Sequence, residues 1–212
     1  MQTQFKDALK LVLPETVYII GSAPSANEAV KLIPDDAYPL ALNAAATVKG
    51  LRPCWHMASD WNTVNCKYWA SGQLRKAERA CGWKNIYSTD LIEYLEIAPP
   101  DVWPQNDIYI YRRGVGLHRQ DVNLAPDELR PNATIAGEAL QLCSKRGVRR
   151  VIIGGVDMRG NDYHDGTTGR HLADKTWHYV PLLNELVSHL RKLGMEIYTL
   201  TETALDLPYW RG

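Results

Sequence analysis

Short apolar runs rich in β-branched residues alternate along this chain with segments of helical periodicity. Val17-Tyr18-Ile19-Ile20 predicts a strand, the small-residue turn Gly21-Ser22-Ala23-Pro24-Ser25-Ala26 follows, and Asn27 to Leu32 is compatible with a helix. Pro39 to Asn43 predicts a second strand and Ala44 to Lys49 a short helix. A third strand is expected from Trp55 to Ser59, ending at Asp60, then a helix over Gln73 to Ala80 and a strand over Asn85 to Ser88. Farther on, Ile135, Ala139, Leu140 and Leu142 place a helix between Thr134 and Arg146. Val151-Ile152-Ile153-Gly154-Gly155 has the unbroken apolar character of a buried strand in a parallel sheet. Leu182, Leu183, Leu186, Val187 and Leu190 form one stripe of the longest helix, Trp177 to Leu193. Gly194 supplies a stop, and Glu196 to Leu200 a last strand.

Strands alternating with helices define an α/β chain: an open, mostly parallel, doubly wound sheet covered on both faces. The length of 212 residues fits one such domain, 1–212. Residues 89–130 interrupt the pattern with Pro99, Pro100, Pro104 and Pro126 around a single strand-like run, Asp107 to Tyr111. That stretch is expected to be an irregular, lid-like insertion, since loops so long are commonly functional.

Composition narrows the function classes. Lys plus Arg and Asp plus Glu each number 24, so the net charge is zero and no chain-wide basic field is available for nucleic acid. No run approaches the roughly 20 apolar residues of a membrane span, and the start MQTQFKDALK lacks signal-peptide layout. Cys54, Cys66, Cys81 and Cys143 form no CxxC pair, which points to a reduced, cytoplasmic setting. Seven Trp and eleven Tyr stand against one Phe, so some are expected to line a wet cleft with their polar handles.

In an open parallel sheet, ligands bind beyond the carboxyl ends of the strands. Four endings are rich in Gly or polar residues: Gly21 to Ser25, Asn43, Ser59-Asp60, and Gly155 to Asp157. Such a rim suits a nucleotide or phosphate. The turn Gly21-Ser22-Ala23-Pro24-Ser25 would bring backbone N–H groups and a helix start to an anion, or be a turn capped by Ser25. It is neither GxGxxG nor GxxxxGK[ST]. Asn43 can pair with a base or ribose edge, or cap the next helix. Asp157 would face the cleft or cap a turn, and Asp60 would hold a metal or a sugar hydroxyl. Asp162-Tyr163-His164-Asp165 and Arg170-His171 concentrate polar chemistry in one loop, without the spacing of a zinc site. His178, at the head of the long helix, is a candidate base or a solvent-exposed histidine. Arg112, Arg113 and Arg119 suit a phosphate or a solvated surface. No GxSxG elbow is present.

Five islands of this sequence, in order, resemble the family 42 bacterial sialyltransferases and the related DUF115 (MptE-like) proteins. Val17 to Ser25 is similar to their GxGPS segment, and Leu42-Asn43 to a nucleotide-contacting Asn. Thr134-Ile135-Ala136-Gly137 is similar to the TSG segment, and Val151 to Met158 to the lsGiDf strand. Tyr163, then His178-Tyr179 and Glu196 to Leu200, follow in the family's order. The resemblance implies a Rossmann-like nucleotide-binding domain that transfers a sugar from a CMP-linked donor without a tightly bound cofactor or metal. Gly21, Ser22, Ala23, Pro24, Ser25 and Asn43 would surround the nucleotide. Thr134, Ala136 and Gly137, with Gly155 and Asp157, would line the donor site, and Tyr163 and Tyr179 would hold its phosphate. The family's catalytic His falls on Leu182 here, which leaves His178 first and His164 second as the base, with His171 behind them.

The function expected is therefore a glycosyltransferase acting from a nucleotide-sugar donor on a glycan or other hydroxyl acceptor. Nucleic acid stays open as that acceptor, and homo-oligomerisation stays open too. Two alternatives stand beside it. One is an MptE-like diphosphate transfer in which Asp60 and Asp157 hold Mg²⁺. The other is a catalytically silent nucleotide-binding module.

Overall fold

The computed structural model describes residues 5–59, 68–96, 104–114, 128–129, 134–160, 162–167 and 176–212. Among them nine strands form one sheet: β1 (Phe5–Asp7), β2 (Thr16–Ile20), β3 (Pro39–Leu42), β4 (Trp55–Ala58), β5 (Lys84–Ser88), β6 (Ile108–Arg113), β7 (Glu128–Leu129), β8 (Arg150–Gly154) and β9 (Glu196–Thr199). The order is β1-β6-β5-β4-β3-β2-β8-β9, with β7 on β6, and every pair is parallel. The helices are α1 (Ala26–Ala29), α2 (Gln73–Cys81), α3 (Thr89–Glu96), α4 (Ile135–Lys145) and α5 (Thr176–Lys192). No helix among the described residues is long and apolar enough to cross a membrane.

Alternate residues of each strand serve opposite faces. Val17, Ile19, Leu40, Leu42, Met57, Ile86, Val151 and Ile153 join α4 and α5 in one core. Tyr18, Ile20, Ala41, Ala58, Tyr87 and Ile152 join α1, α2 and α3 in the other. Both faces are thus covered, and the strands must be apolar throughout, which is why they were legible.

Three expectations change. Residues 89–96 and 108–113 are regular, and β6 lies inside the sheet between β5 and β1, so they do not belong to an irregular insertion. The strand-like run Asp107 to Tyr111 is β6, whereas the helix over 89–96 was not expected; the rest of 89–130 is mostly outside the described residues. Ala26–Ala29 is a single α-turn continued by a 3-10 turn, Val30–Leu32, and Asn43–Thr47 is also 3-10 rather than α-helical. Half of the Trp and Tyr with described side chains fill the cores: Trp55, Trp69, Trp83, Tyr18, Tyr68, Tyr87 and Tyr111 are buried.

Candidate active site

From β2 the chain steps outward through β3, β4 and β5 to β6, whereas β8 and β9 lie on the other side of β2. The connections after β2 and β8 therefore leave toward opposite faces, and a crevice opens between their carboxyl ends. Glycine makes the floor. Gly21 N–H donates to Gly154 O at 2.8 Å, and Ala23 N–H to Gly155 O at 3.0 Å. A Cβ on Gly21 would lie 2.3 Å from Gly155 O; one on Gly154 would lie 2.5 Å from Ala29 Cβ. Ala26 and Ala29, both fully buried, let α1 cross this closely.

Backbone strain sits on the same rim. Among the described residues Asn43 and Met158 are the non-glycine positions with positive φ, at 50° and 53°. Each costs on the order of 1–3 kcal/mol, which the surrounding structure must hold in place.

Three N–H groups of the turn after β2 are taken up by the end of β8 and the residues after it. Besides Gly21 and Ala23, Ser25 N–H donates to the Asp157 carboxylate at 3.3 Å, and Ser25 Oγ–H donates to its other oxygen. Thr201 Oγ1 stands 3.0 Å from Ser25 Oγ. The anion at the head of α1 is thus the chain's own Asp157, and Ser25 does not cap α1 through its side chain. Pro24 has no N–H to give. The N–H groups of Gly21, Ala23 and Ser25 are thus already paired within the chain.

Asn43 is held from below. The buried His56 ring, on β4, has Nε2 3.0 Å from Asn43 O, so Nε2 carries a proton and donates. Its Nδ1 is 3.2 Å from Tyr87 Oη, whose hydroxyl also reaches Asn85 Oδ1 at 3.0 Å. Asn85 also accepts from Trp83 Nε1 and donates to the buried Glu78 at 2.9 Å. Burial pushes His56 down to about 4, against the pull of the Asn43 carbonyl and Asn85. The unfolded chain protonates this ring near 6.5 and the folded one does not. Stability is therefore complete above about pH 6.5 and falls by about 3 kcal/mol as pH drops toward 4. His56→Gln is expected to remove that increment, measured as urea midpoints of both proteins from pH 7 to 4; parallel curves would refute it.

The loop after β8 folds back over the β2 and β3 endings. His164 N–H donates to Ser22 O at 2.9 Å, and Asn27 Nδ2 donates to His164 O at 2.9 Å. The His164 ring stacks on Tyr68 at 6.3 Å, and Tyr68 Oη donates to Asp165 at 2.6 Å. Burial raises the Asp165 carboxyl, but hydrogen bonds from Thr167 and Tyr68 outweigh it and hold the group at about 2. Thr47 Oγ–H is committed to Ala44 O at 2.8 Å. The 3.2 Å contact between Thr47 Oγ1 and His164 Nε2 is then a bond donated by Nε2–H. The proton sits on Nε2, and Nδ1 keeps a lone pair, shut from solvent and without a partner among the described residues. Burial lowers the His164 pKa, opposed by Asp165 and by the Ser22 carbonyl, so the imidazole is neutral at pH 7.

The other expected site residues divide. Thr134 precedes α4 at the same rim, its Oγ1 buried and unpartnered, while Ala136 and Gly137 are buried within the first turn. Tyr163 is half-buried in the β8 loop, its N–H on Thr167 O at 2.8 Å. His178 and Tyr179 sit in the first turn of α5, their rings 6.0 Å apart. Arg112 pairs with Glu128, and Arg113 with Asp90 and the buried Glu138, so neither is an open phosphate ligand. Asp60, Arg119, Arg170 and His171 lie outside the described residues. Among the described residues no three His, Cys, Asp or Glu converge as a metal site. Thr47, Tyr68, His56 and Glu138 were not legible as site residues. Each is recruited across a chain separation that no local motif marks.

An open, doubly wound parallel sheet with a glycine-floored crevice at its switch point is the class of α/β fold in which ligands bind beyond the carboxyl ends of the strands. By sequence, no family model and no curated protein matches this chain. Solved structures do. The sialyltransferase Cst-II in complex with trisaccharide acceptor and CMP is similar at TM-score 0.51 and 12% identity, over 87% of this chain and 80% of that one. The monofunctional α-2,3-sialyltransferase Cst-I from Campylobacter jejuni gives 0.49 and 11% over 93% and 83%. CstII from Campylobacter jejuni with CMP-3FNeuAc gives 0.44 and 11% over 93% and 88%. At these identities the likeness is one of fold.

Proposed function

We propose that this chain is a glycosyltransferase that moves a sugar from a nucleotide-activated, CMP-linked donor to a hydroxyl acceptor. One arrangement carries the proposal: a neutral imidazole, His164, with an unpartnered lone pair, fixed by the Ser22, Thr47 and Tyr68 segments at the crevice of a nucleotide-binding type of sheet. The fold-level similarity to a sialyltransferase that holds CMP and a trisaccharide acceptor supports the two substrate classes.

The nucleotide lies over Gly21 to Ser25 and Asn43, with Thr134 at the donor end. Nδ1 is shut from solvent as described, so a shift of the 162–167 loop has to uncover it; His164 then accepts the proton of the acceptor hydroxyl as that oxygen attacks the anomeric carbon. The bond from that carbon to the phosphate oxygen breaks, and the electron pair leaves with CMP. Tyr163 and Tyr179 donate to the phosphate as its charge grows. His164 takes the place first expected for His178, because the hydrogen bonds around His164 fix its tautomer.

A thermal-shift panel of CMP, CDP, UDP, GDP and ATP, with and without Mg²⁺, tests the donor class. At about 100 times its Kd, CMP is expected to add about 2.7 kcal/mol of stability without metal. A shift from ATP only with Mg²⁺ would replace the proposal by diphosphate transfer, and no shift at all would refute a nucleotide site.

A further inference from the structure

Among the described residues Lys6, Lys31, Arg112, Arg113, Arg149, Arg150 and Arg159 each meet a carboxylate. The outer stripe of α2 gathers three cations that meet none of the described carboxylates. Leu74 and Glu78 turn inward and are buried, while Gly72, Arg75, Lys76, Arg79 and Ala80 line a concavity of about 560 Å³. No described carboxylate lines it. Arg75 Nε is shut from solvent without a partner, and a buried donor left unpaired costs about 1–3 kcal/mol. Arg79 Nε donates to Gln105 Oε1 at 3.2 Å, a neutral amide that leaves its charge unbalanced. Lys76 is exposed and enters no salt bridge with the described residues.

The position ties this groove to the crevice. A helix joining parallel neighbours β4 and β5 begins at the carboxyl edge of the sheet, so the Gly72 end of α2 lies at the rim. α2 packs on the Asn43–Thr47 turn. Tyr68, just ahead of Gly72, donates to Asp165, the neighbour of His164.

We infer that the α2 groove binds an acidic oligosaccharide and presents its end to the crevice as the acceptor, which rests on the transferase reading above. The Nη groups of two arginines and a lysine match carboxylate or phosphate groups on sugar rings. The volume is that of a pocket for a small ligand, and the zero net charge gives no field suited to a nucleic-acid duplex. None of the lining residues is a large apolar one that would enter a bilayer.

Calorimetric titration of the full chain with trigalacturonate, maltose 1-phosphate, neutral maltotriose and a short oligothymidine tests this. Trigalacturonate, maltose 1-phosphate or both are expected to bind, and which of them does separates carboxylate from phosphate recognition. The double variant Arg75→Gln/Lys76→Gln is expected to weaken that binding by about tenfold or more while keeping the CMP thermal shift of the parent. The inference is overturned if neither acidic sugar binds, if maltotriose binds equally, if the oligothymidine binds more tightly, or if the variant is unaffected. If acidic sugar binds through α2 but no nucleotide shifts the parent protein, the groove stands and the transferase reading falls. A CMP shift without acidic-sugar binding gives the reverse.

Discussion

Gly155→Ala is expected to destabilise the protein by about 3–5 kcal/mol, a large part of the total stability of a domain this size. Two costs combine. Gly155 has φ +65°, where an L side chain strains the backbone by about 1–2 kcal/mol. Its added Cβ would also lie 2.5 Å from Gly21 O and 2.7 Å from Ala26 Cβ, and both belong to backbone-anchored atoms that cannot swing away. Gly82→Ala provides the internal control. Gly82 has nearly the same φ, +68°, but nothing lies within 4 Å of its Cβ position. Its substitution carries the strain without the collision and is expected to cost only about 1–2 kcal/mol. Urea unfolding of both variants measures the difference. Equal losses would mean that α1, β2 and β8 do not meet as closely as described, and the crevice floor would have to be redrawn. Because the same contact holds the Gly21 to Ser25 turn, Gly155→Ala is also expected to abolish the CMP shift at temperatures where it stays folded.

His164→Gln is expected to lower kcat for sugar transfer by about 10²–10⁴-fold, the range of a lost general base. Glutamine fits the space and keeps polar atoms, so folding should survive. The same substitution at His178 is expected to change kcat only a few-fold, since the proton transfer is assigned to His164. The pH profile separates a base from a structural histidine. Burial lowers the His164 pKa below its ordinary 6.5, so the deprotonated, active form persists below neutrality. Activity should be flat at and above pH 7 and fall on the acid side, with the midpoint below 6.5. Thr47→Val removes the acceptor for Nε2–H and frees the tautomer; a smaller loss of kcat, with KM little changed, is the signature of positioning. If His178→Gln shows the large loss and His164→Gln does not, the assignment of the base moves to α5.

The basic stripe on α2 and the acid-labile His56 beneath Asn43 belong to the same region from different sides. His56 and its partners are a buried polar network whose role is to hold the carbonyl of a strained residue. Such networks rigidify when every member is satisfied. Neutral His56 must share the Tyr87 hydroxyl proton with Asn85, so this one operates close to its limit.

How much of this was legible beforehand depended on the range of the interaction that decides it. Parallel strands covered on both faces must be apolar at successive positions, so β2, β3, β4, β5, β8 and β9 announced themselves, as did α4 and α5 by their 3.6-residue stripes. The Gly-rich endings after β2 and β8 were also visible, because close backbone approach leaves room for little else. β1, three residues long with Phe5 half-exposed, gave no such signal and was made a strand by its neighbour, while β6 showed as the strand-like run Asp107 to Tyr111 but not as a strand inside the sheet.

The sequence by itself therefore determined the class of the sheet and the Gly-rich endings of β2 and β8, since both follow from burial and local backbone limits. The tertiary structure alone decided how the polar residues around those endings pair. Asp157 meets Ser25 across 132 positions, and His164 meets Thr47 across 117. Only there does Asp157 become the anion that fills the turn, and only there is the His164 proton fixed on Nε2. Hydrogen-bond partners and burial set protonation and tautomer, and neither is encoded in any local spacing along the chain.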